Sequence, residues 1–271
     1  MKKIIIIVFI LFSSIYSQNN LFKSHPYGTL GTAASLTAST STGDVDGDKD
    51  LDIIVANGRH WAQQNQIFFN DGKGFFRRSR SLGTEANTTY QIPMTDIDND
   101  GDLDLIVAND RTENQIFKND GNGNFLFDHY FGKKESNTRG LCIIDLNKDG
   151  YDDIVVANRK SQNYIYYNNS KGNFSKGQPF GNHDEATINI ASADLNQDGY
   201  LDLVLANRNS QHNRIYYGPD YNKFSILGSD EDETRGVAIN DMNSDGILDI
   251  ITVNIGAKNN IYFGDKSGNF N

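Results

Sequence analysis

An all-β fold built from similar four-stranded sheets is predicted from three observations. An Asp-rich loop recurs, starting at Asp44, Asp96, Asp145, Asp194 and Asp241, at intervals of about 50 residues. Each loop is followed by the same series of short apolar segments separated by Gly/Asn turns. No segment keeps a helical period. One four-stranded sheet cannot cover both of its own faces. Stacking five such sheets around an axis covers them, and that arrangement is a β-propeller.

Each repeat supplies its strands in one order, here lettered A to D from the axis outward. Strand A carries a Thr seven residues before the Asp loop: Thr37, Thr89, Thr138, Thr187 or Thr234. Strand B is an Ile/Val/Leu run ending in Asn, as in Leu105-Ile106-Val107-Ala108-Asn109. β-Branched residues suit a pleated, buried surface. Strand C is a segment such as Asn163-Tyr164-Ile165-Tyr166. A Gly/Asn turn then leads to strand D near Phe76, Phe125, Phe174, Phe224 or Phe270. The segment Asn20-Leu21-Phe22 resembles the start of a strand D, and the fifth strand D begins only at Phe270. The N-terminal segment therefore offers an outer strand to the fifth sheet and closes a five-bladed ring. The alternative is an incomplete larger propeller.

Residues 1–17 stand outside this repeat. Lys2 and Lys3 precede the apolar run Ile4 to Phe12, and small polar residues follow up to Ser17. This is the pattern of a cleaved secretory signal peptide. The run falls short of the roughly 20 residues a spanning helix needs. The expectation is a secreted protein, extracellular or periplasmic, with residues 18–271 as one propeller domain. Its single cysteine, Cys142, cannot form an internal disulfide, and its setting in Leu141-Cys142-Ile143-Ile144 predicts a buried small hydrophobe. The formal net charge of −10 argues against nucleic acid, which needs a basic face, and suits a protein that carries cations.

The Asp loops carry that chemistry. In nine-residue numbering, oxygen-bearing side chains stand at positions 1, 3, 5 and 9: Asp44, Asp46, Asp48, Asp52; Asp96, Asp98, Asp100, Asp104; Asp145, Asn147, Asp149, Asp153; Asp194, Asn196, Asp198, Asp202; and Asp241, Asn243, Asp245, Asp249. Alternate spacing over a tight loop points these oxygens at one centre. Hard oxygens without His or Cys select calcium over zinc or copper. Position 7 varies (Asp50, Asp102, Tyr151, Tyr200, Ile247), so its backbone carbonyl is the expected ligand. Position 6 is Gly101, Gly150, Gly199 or Gly246, which permits a sharp turn. The first loop has Lys49 there, and strain is expected. Up to five Ca²⁺ ions would offset most of the negative charge.

These motifs resemble the FG-GAP/VCBS repeat family, which includes the integrin alpha-subunit propeller. The resemblance rests on Asp-x-Asp/Asn-x-Asp-Gly-x-x-Asp, Leu/Ile-Val-x-Ala-Asn, Asn-x-Ile-Tyr and Gly-Asn-Phe, over nearly all of residues 20–271. It implies a propeller with calcium in the A–B loops and an extracellular role in binding protein or carbohydrate.

Alternating strands place the B–C and D–A loops on the face opposite the Asp loops. Arg59, His60, Trp61, Arg111, Arg159 and Arg208 fall there, with Arg139 and Arg235 beside the recurrent Thr. Such a face suits an anionic ligand, and Trp61 suits a sugar ring. No Ser-His-Asp or Cys-His signature stands out, so a non-catalytic binding module is expected. The alternative is a calcium-stabilised lyase acting on acidic polysaccharide, with an Arg neutralising a uronate and His60 or a Tyr as base.

Overall fold

The computed structural model describes residues 29–31, 33–229 and 231–270. The signal-peptide reading and the N-terminal outer strand fall largely on residues outside these. The described residues form antiparallel strands and no helix. None of their elements is long and apolar enough to cross a membrane as a helix.

The first sheet runs in the order β1 (Thr37–Gly43), β2 (Asp52–Asn57), β3 (Gln66–Phe69) and β4 (Arg78–Ser81). The second contains β5 (Thr89–Gln91), β6 (Met94–Thr95), β7 (Asp104–Asn109), β8 (Asn114–Asn119) and β9 (Phe125–Phe131). Here β5 and β6 are two halves of one strand A, both paired to β7. The break falls at Pro93, which has no N–H to continue the ladder. The third sheet is β10 (Thr138–Ile144), β11 (Asp153–Asn158), β12 (Asn163–Tyr166) and β13 (Gln178–Phe180). The fourth is β14 (Thr187–Ala193), β15 (Asp202–Asn207), β16 (Asn213–Tyr217) and β17 (Lys223–Leu227). The fifth has three strands, β18 (Thr234–Asn240), β19 (Asp249–Asn254) and β20 (Asn260–Tyr262). These repeated sheets have the form of β-propeller blades.

Successive sheets stack face to face. Ile54, Ala56, Ile67 and Phe69 of the first meet Leu105, Val107 and Phe117 of the second. Ile106, Ala108 and Ile116 of the second then meet Ile154, Val156 and Tyr166 of the third. Because both faces are covered, every residue of β7, β11 and β15 is buried. That explains why strand B reads as a continuous apolar run rather than an alternating one. Each Val, Leu or Ile side chain among them contributes roughly 1.5–3 kcal/mol by leaving water. Cys142 is only half-buried rather than fully so, and packs at the edge of the third core cluster. Burial pushes its thiol up to about 12, so it stays protonated.

The fifth sheet lacks this cover on its forward face. Val253, Ile261 and Phe263 are 43%, 46% and 45% exposed, whereas Ala56, Ile67 and Phe69, their equivalents in the first sheet, are buried. At the other end, Gly31 lies against the Phe68 ring as Gly83 lies against Phe117, each with a positive φ. Leu30-Gly31 thus meets the first sheet as Leu82-Gly83, at the end of the first sheet's outer strand, meets the second.

Candidate metal centres

Each Asp loop joins strand A to strand B, and the second to fifth share one hydrogen-bond pattern; in the first, Asp44 accepts instead from the N–H groups of Gly47 (2.8 Å) and Lys49 (2.9 Å). The position-1 carboxylate anchors the loop. Asp96 accepts from the N–H groups of Asp100 (3.0 Å) and Gly101 (2.9 Å), and Asp145, Asp194 and Asp241 accept from the corresponding pairs. The position-5 carboxylate accepts the position-7 N–H, as Asp100 does from Asp102 at 3.0 Å. This turns the position-7 peptide across the loop. The position-7 side chains of Asp50 and Asp102 instead lie against Gly72 and Gly121 in the C–D turns of their own sheets.

Two positions in each loop have left-handed backbone. Position 6 has φ of 100° at Gly101, and Lys49 adopts 74° despite its side chain. Position 4 is also left-handed, at Asn99, Lys148, Gln197 and Ser244. The first loop places a glycine, Gly47, at position 4 and the lysine at position 6. The pattern of glycines alone did not disclose position 4, because four of its five residues carry side chains.

Position 9 is the structural pin. Asp52, Asp104, Asp153, Asp202 and Asp249 are buried. Asp104 Oδ2 accepts the Ile97 N–H at 3.1 Å, and its Oδ1 accepts the Asn119 N–H at 2.8 Å. The other four repeat this pair of bonds. Burial pushes the Asp104 and Asp153 carboxyls up to about 6, against the pull of these N–H donors. Neighbouring loop aspartates add to the upward shift.

Ligand-type oxygens converge in two loops. Those of Asp44, Asp46 and Asp48 lie within 4.8 Å of one another, as do those of Asp96, Asp98 and Asp104. Asp46 Oδ1 and Asp98 Oδ1 are buried with no hydrogen-bond partner. A buried carboxylate oxygen left without a donor is costly unless a cation meets it. The donor set, all hard oxygen, fits calcium. Position 3 is Asp only where a cation from the same sheet reaches it: Arg78 on Asp46, and Lys118 on Asp98 at 2.9 Å. In the third to fifth loops position 3 is Asn, which donates to the position-5 carboxylate, as Asn147 does to Asp149 at 2.9 Å.

Adjacent sheets brace these loops. Asn119 and Asn168 donate to the Val45 and Ile97 carbonyls of the preceding loop, both at 2.8 Å. Lys148 of the third loop reaches the Gly199 carbonyl of the fourth. The C–D turns therefore share a face with the Asp loops, as strand alternation requires.

A family model described as an FG-GAP-like repeat matches residues 44–107, 96–156, 145–205 and 194–252. The chain belongs to the FG-GAP-like repeat family. Each matched stretch runs from one Asp loop through the strand B of the next repeat.

No curated protein sequence matches the chain. Among solved structures, a lectin of Agrocybe aegerita that recognises non-reducing terminal N-acetylglucosamine is similar, with 17% identity and a TM-score of 0.56. The alignment covers 88% of this chain and 65% of the lectin. The V. cholerae biofilm matrix protein Bap1 aligns with 17% identity and a TM-score of 0.56, over 91% of this chain and 40% of Bap1. BBS1N, solved in complex with ARL6DN, aligns with 12% identity and a TM-score of 0.56, over 88% and 67%. These likenesses are of fold. The FG-GAP-like chain spans about two thirds of the first of these proteins and 40% of the second.

On the face away from the Asp loops, the FG-GAP-like repeats hold most of the expected arginines in pairs. Arg111 lies 3.5 Å from Asp110, Arg208 lies 2.8 Å from Glu233, and Arg159 donates to Asn209 at 3.1 Å. Arg59, His60 and Trp61 are exposed on the loop after β2. The partners of Arg208 and Arg159 come from other loops, which sequence position alone does not disclose, whereas Asp110 is the sequence neighbour of Arg111.

Proposed function

We propose that this chain is a secreted, calcium-stabilised FG-GAP-like propeller that acts as an extracellular binding module for carbohydrate or protein. The observation that carries the calcium reading is the pair of buried, partnerless oxygens, Asp46 Oδ1 and Asp98 Oδ1, inside clusters of aspartates. The side-chain ligands would be positions 1, 3, 5 and 9 of each loop, with the carbonyl of position 7. The bound ion supplies positive charge that links strands A and B. The binding role draws support from the folds it shares with a lectin and a biofilm matrix protein. Secretion rests on the Lys2-Lys3 and Ile4–Phe12 pattern.

Ring closure belongs to the same reading. Residues 20–36 would supply the outer strand of the fifth sheet, which has three strands among the described residues. Closure would bring Asn259 to Thr37, both exposed in the described residues.

A glycan and surface-protein array, probed with the calcium-loaded chain and again in excess chelator, tests the module. Specific retention that chelation abolishes is expected. Retention of nothing on either array would count against a binding role.

A further inference from the structure

A cavity of about 320 Å³ opens between the outer parts of the first and second sheets. Thr84 and Glu85, which follow β4, line one side of it, and Gln115 and Phe117 of β8 with Phe127 and Tyr130 of β9 line the other. Glu85 is held through both oxygens. Its Oε1 accepts the Tyr130 hydroxyl at 3.0 Å, and its Oε2 accepts the Gln115 amide at 2.9 Å. Gln115 is buried, and its carbonyl accepts from the Asn87 and Asn109 amides, each at 3.4 Å, which turns its N–H groups toward the carboxylate. The Phe127 and Tyr130 rings lie side by side with centroids 4.6 Å apart, and Phe117 meets Phe127 edge-on at 5.8 Å. Phe127 and Tyr130 are both exposed.

Among the described residues, no Lys, Arg or His lines this cavity, and Glu85 makes no ion pair. A carboxylate that accepts one bond on each oxygen still has lone pairs to offer. The equivalent cavity, between the second and third sheets, has a different lining. Lys133 and Lys176 stand there at the repeat positions of Thr84 and Phe127, and the Lys133 ammonium lies 4.9 Å over the Tyr164 ring. In that cavity the chain supplies its own cation. In the first, Thr84 leaves the place to a cation from elsewhere, and both the carboxylate and the exposed ring faces attract positive charge.

We propose that this cavity binds a charged amino sugar, with its ammonium group on Glu85 and the apolar face of its ring on Phe127 and Tyr130. A primary ammonium donates N–H bonds that Glu85 accepts, whereas a quaternary ammonium has none to give. A lysine side chain would meet Glu85 as well, but it has no flat face to cover two adjacent rings. The C–H face of a pyranose does, and exposed aromatic rings offer it an apolar surface. Thr84 adds a hydroxyl for the hydroxyl groups of the sugar. The site rests on the reading of the chain as a carbohydrate-binding module and names its ligand class.

The test is calorimetric titration of the full, calcium-loaded chain at low salt, at a pH that keeps the sugar amine charged. The probes are a glucosamine hexamer, its neutral N-acetylated counterpart and hexalysine. The glucosamine hexamer should bind at least about tenfold more tightly than either of the others. Glu85→Gln and Phe127→Ala should each weaken its binding by about tenfold or more, as loss of a charge-assisted bond or of a stacking face implies. Glu135→Gln, which removes the same charge from an exposed position in the next repeat, should change it by less than about twofold. Glu85 is exposed on a loop, so its variant tests the site even if Phe127→Ala fails to fold. Absence of glucosamine-hexamer binding, equal binding of the N-acetylated hexamer, or unweakened binding by Glu85→Gln overturns the site. Equal binding of hexalysine overturns its assignment to a sugar. Retention of other ligands on the array would stand in each of these cases, so failure of this site is distinct from failure of the binding module.

Discussion

Asn65, just before β3, donates its amide to Thr89 Oγ1 of the next sheet at 2.9 Å. Its own Oδ1 accepts the Asn57 N–H at 2.9 Å, and Thr89 in turn donates to Asn109 at 2.9 Å. The same link joins Asn163 to Thr187 and Asn213 to Thr234, each at 2.9 Å. A buried polar link through the recurrent Thr and Asn thus joins the first sheet to the second, the third to the fourth and the fourth to the fifth. Fully satisfied networks of this kind fix one packing, and breaking them leaves orphaned groups.

Asn163→Ala should therefore destabilise the protein by about 2–4 kcal/mol, since it orphans the Asn158 N–H and removes the partner of Thr187. Urea unfolding measures this. A loss within about 0.5 kcal/mol would show that the link does not hold the sheets together.

Asn259→Ala tests ring closure. Asn259 accepts the Asn254 N–H at 2.9 Å, as Asn163 accepts that of Asn158, but is exposed in the described residues. Closure onto Thr37 predicts a cost comparable to that at Asn163. Deleting residues 20–36 should then leave the fifth sheet's edge open and drive association, as unpaired edges do. A small cost at Asn259, with the shortened chain still monomeric by sedimentation, argues for an open arc.

Left-handed backbone at position 6 has a measurable cost. Gly101 has open space where a Cβ would lie, so Gly101→Ala isolates the effect of its φ of 100°. A loss of about 1–2 kcal/mol is expected. Lys49→Gly should stabilise the first loop by up to about 1 kcal/mol, the gain in φ being partly offset by backbone entropy. Equal and opposite urea-midpoint shifts are not required, but shifts of the same sign would refute the strain at Lys49.

Buried position-9 carboxyls make the metal-free protein sensitive to pH. The Asp104 and Asp153 carboxyls have folded pKa values raised to about 6 from an ordinary 3.8. A raised folded pKa contributes stability that is fully present below the unfolded value and lost as pH rises through the folded one. In chelator, stability should therefore fall between about pH 4 and 6. Excess calcium should offset this fall, because the ion needs ionised ligands and its affinity rises over the same range. Parallel pH trends with and without calcium would contradict the placement of these carboxyls beside the ion.

Much of this was legible in the residues. The repeated Asp loop marked every A–B connection, and the Ile/Val run ending in Asn marked every strand B. Proline 93 splits the second strand A, a break that an apolar pattern with one proline does not locate by itself. The recurrent Thr was visible as a signature, but its bond to an Asn of the preceding sheet depends on inter-sheet register. The pairings of Arg208 with Glu233 and of Arg159 with Asn209 likewise depend on which loops the stacking brings together. Sequence position gave the face on which these arginines lie but not their neighbours.

Thermal unfolding followed by calorimetry, with calcium in excess and again with chelator in excess, tests the central claim most directly. Calcium should raise the Tm markedly, because an ion bound only by the folded loops stabilises the native state by mass action. Superimposable melting curves in calcium and in chelator would contradict the assignment of the Asp loops as structural calcium sites.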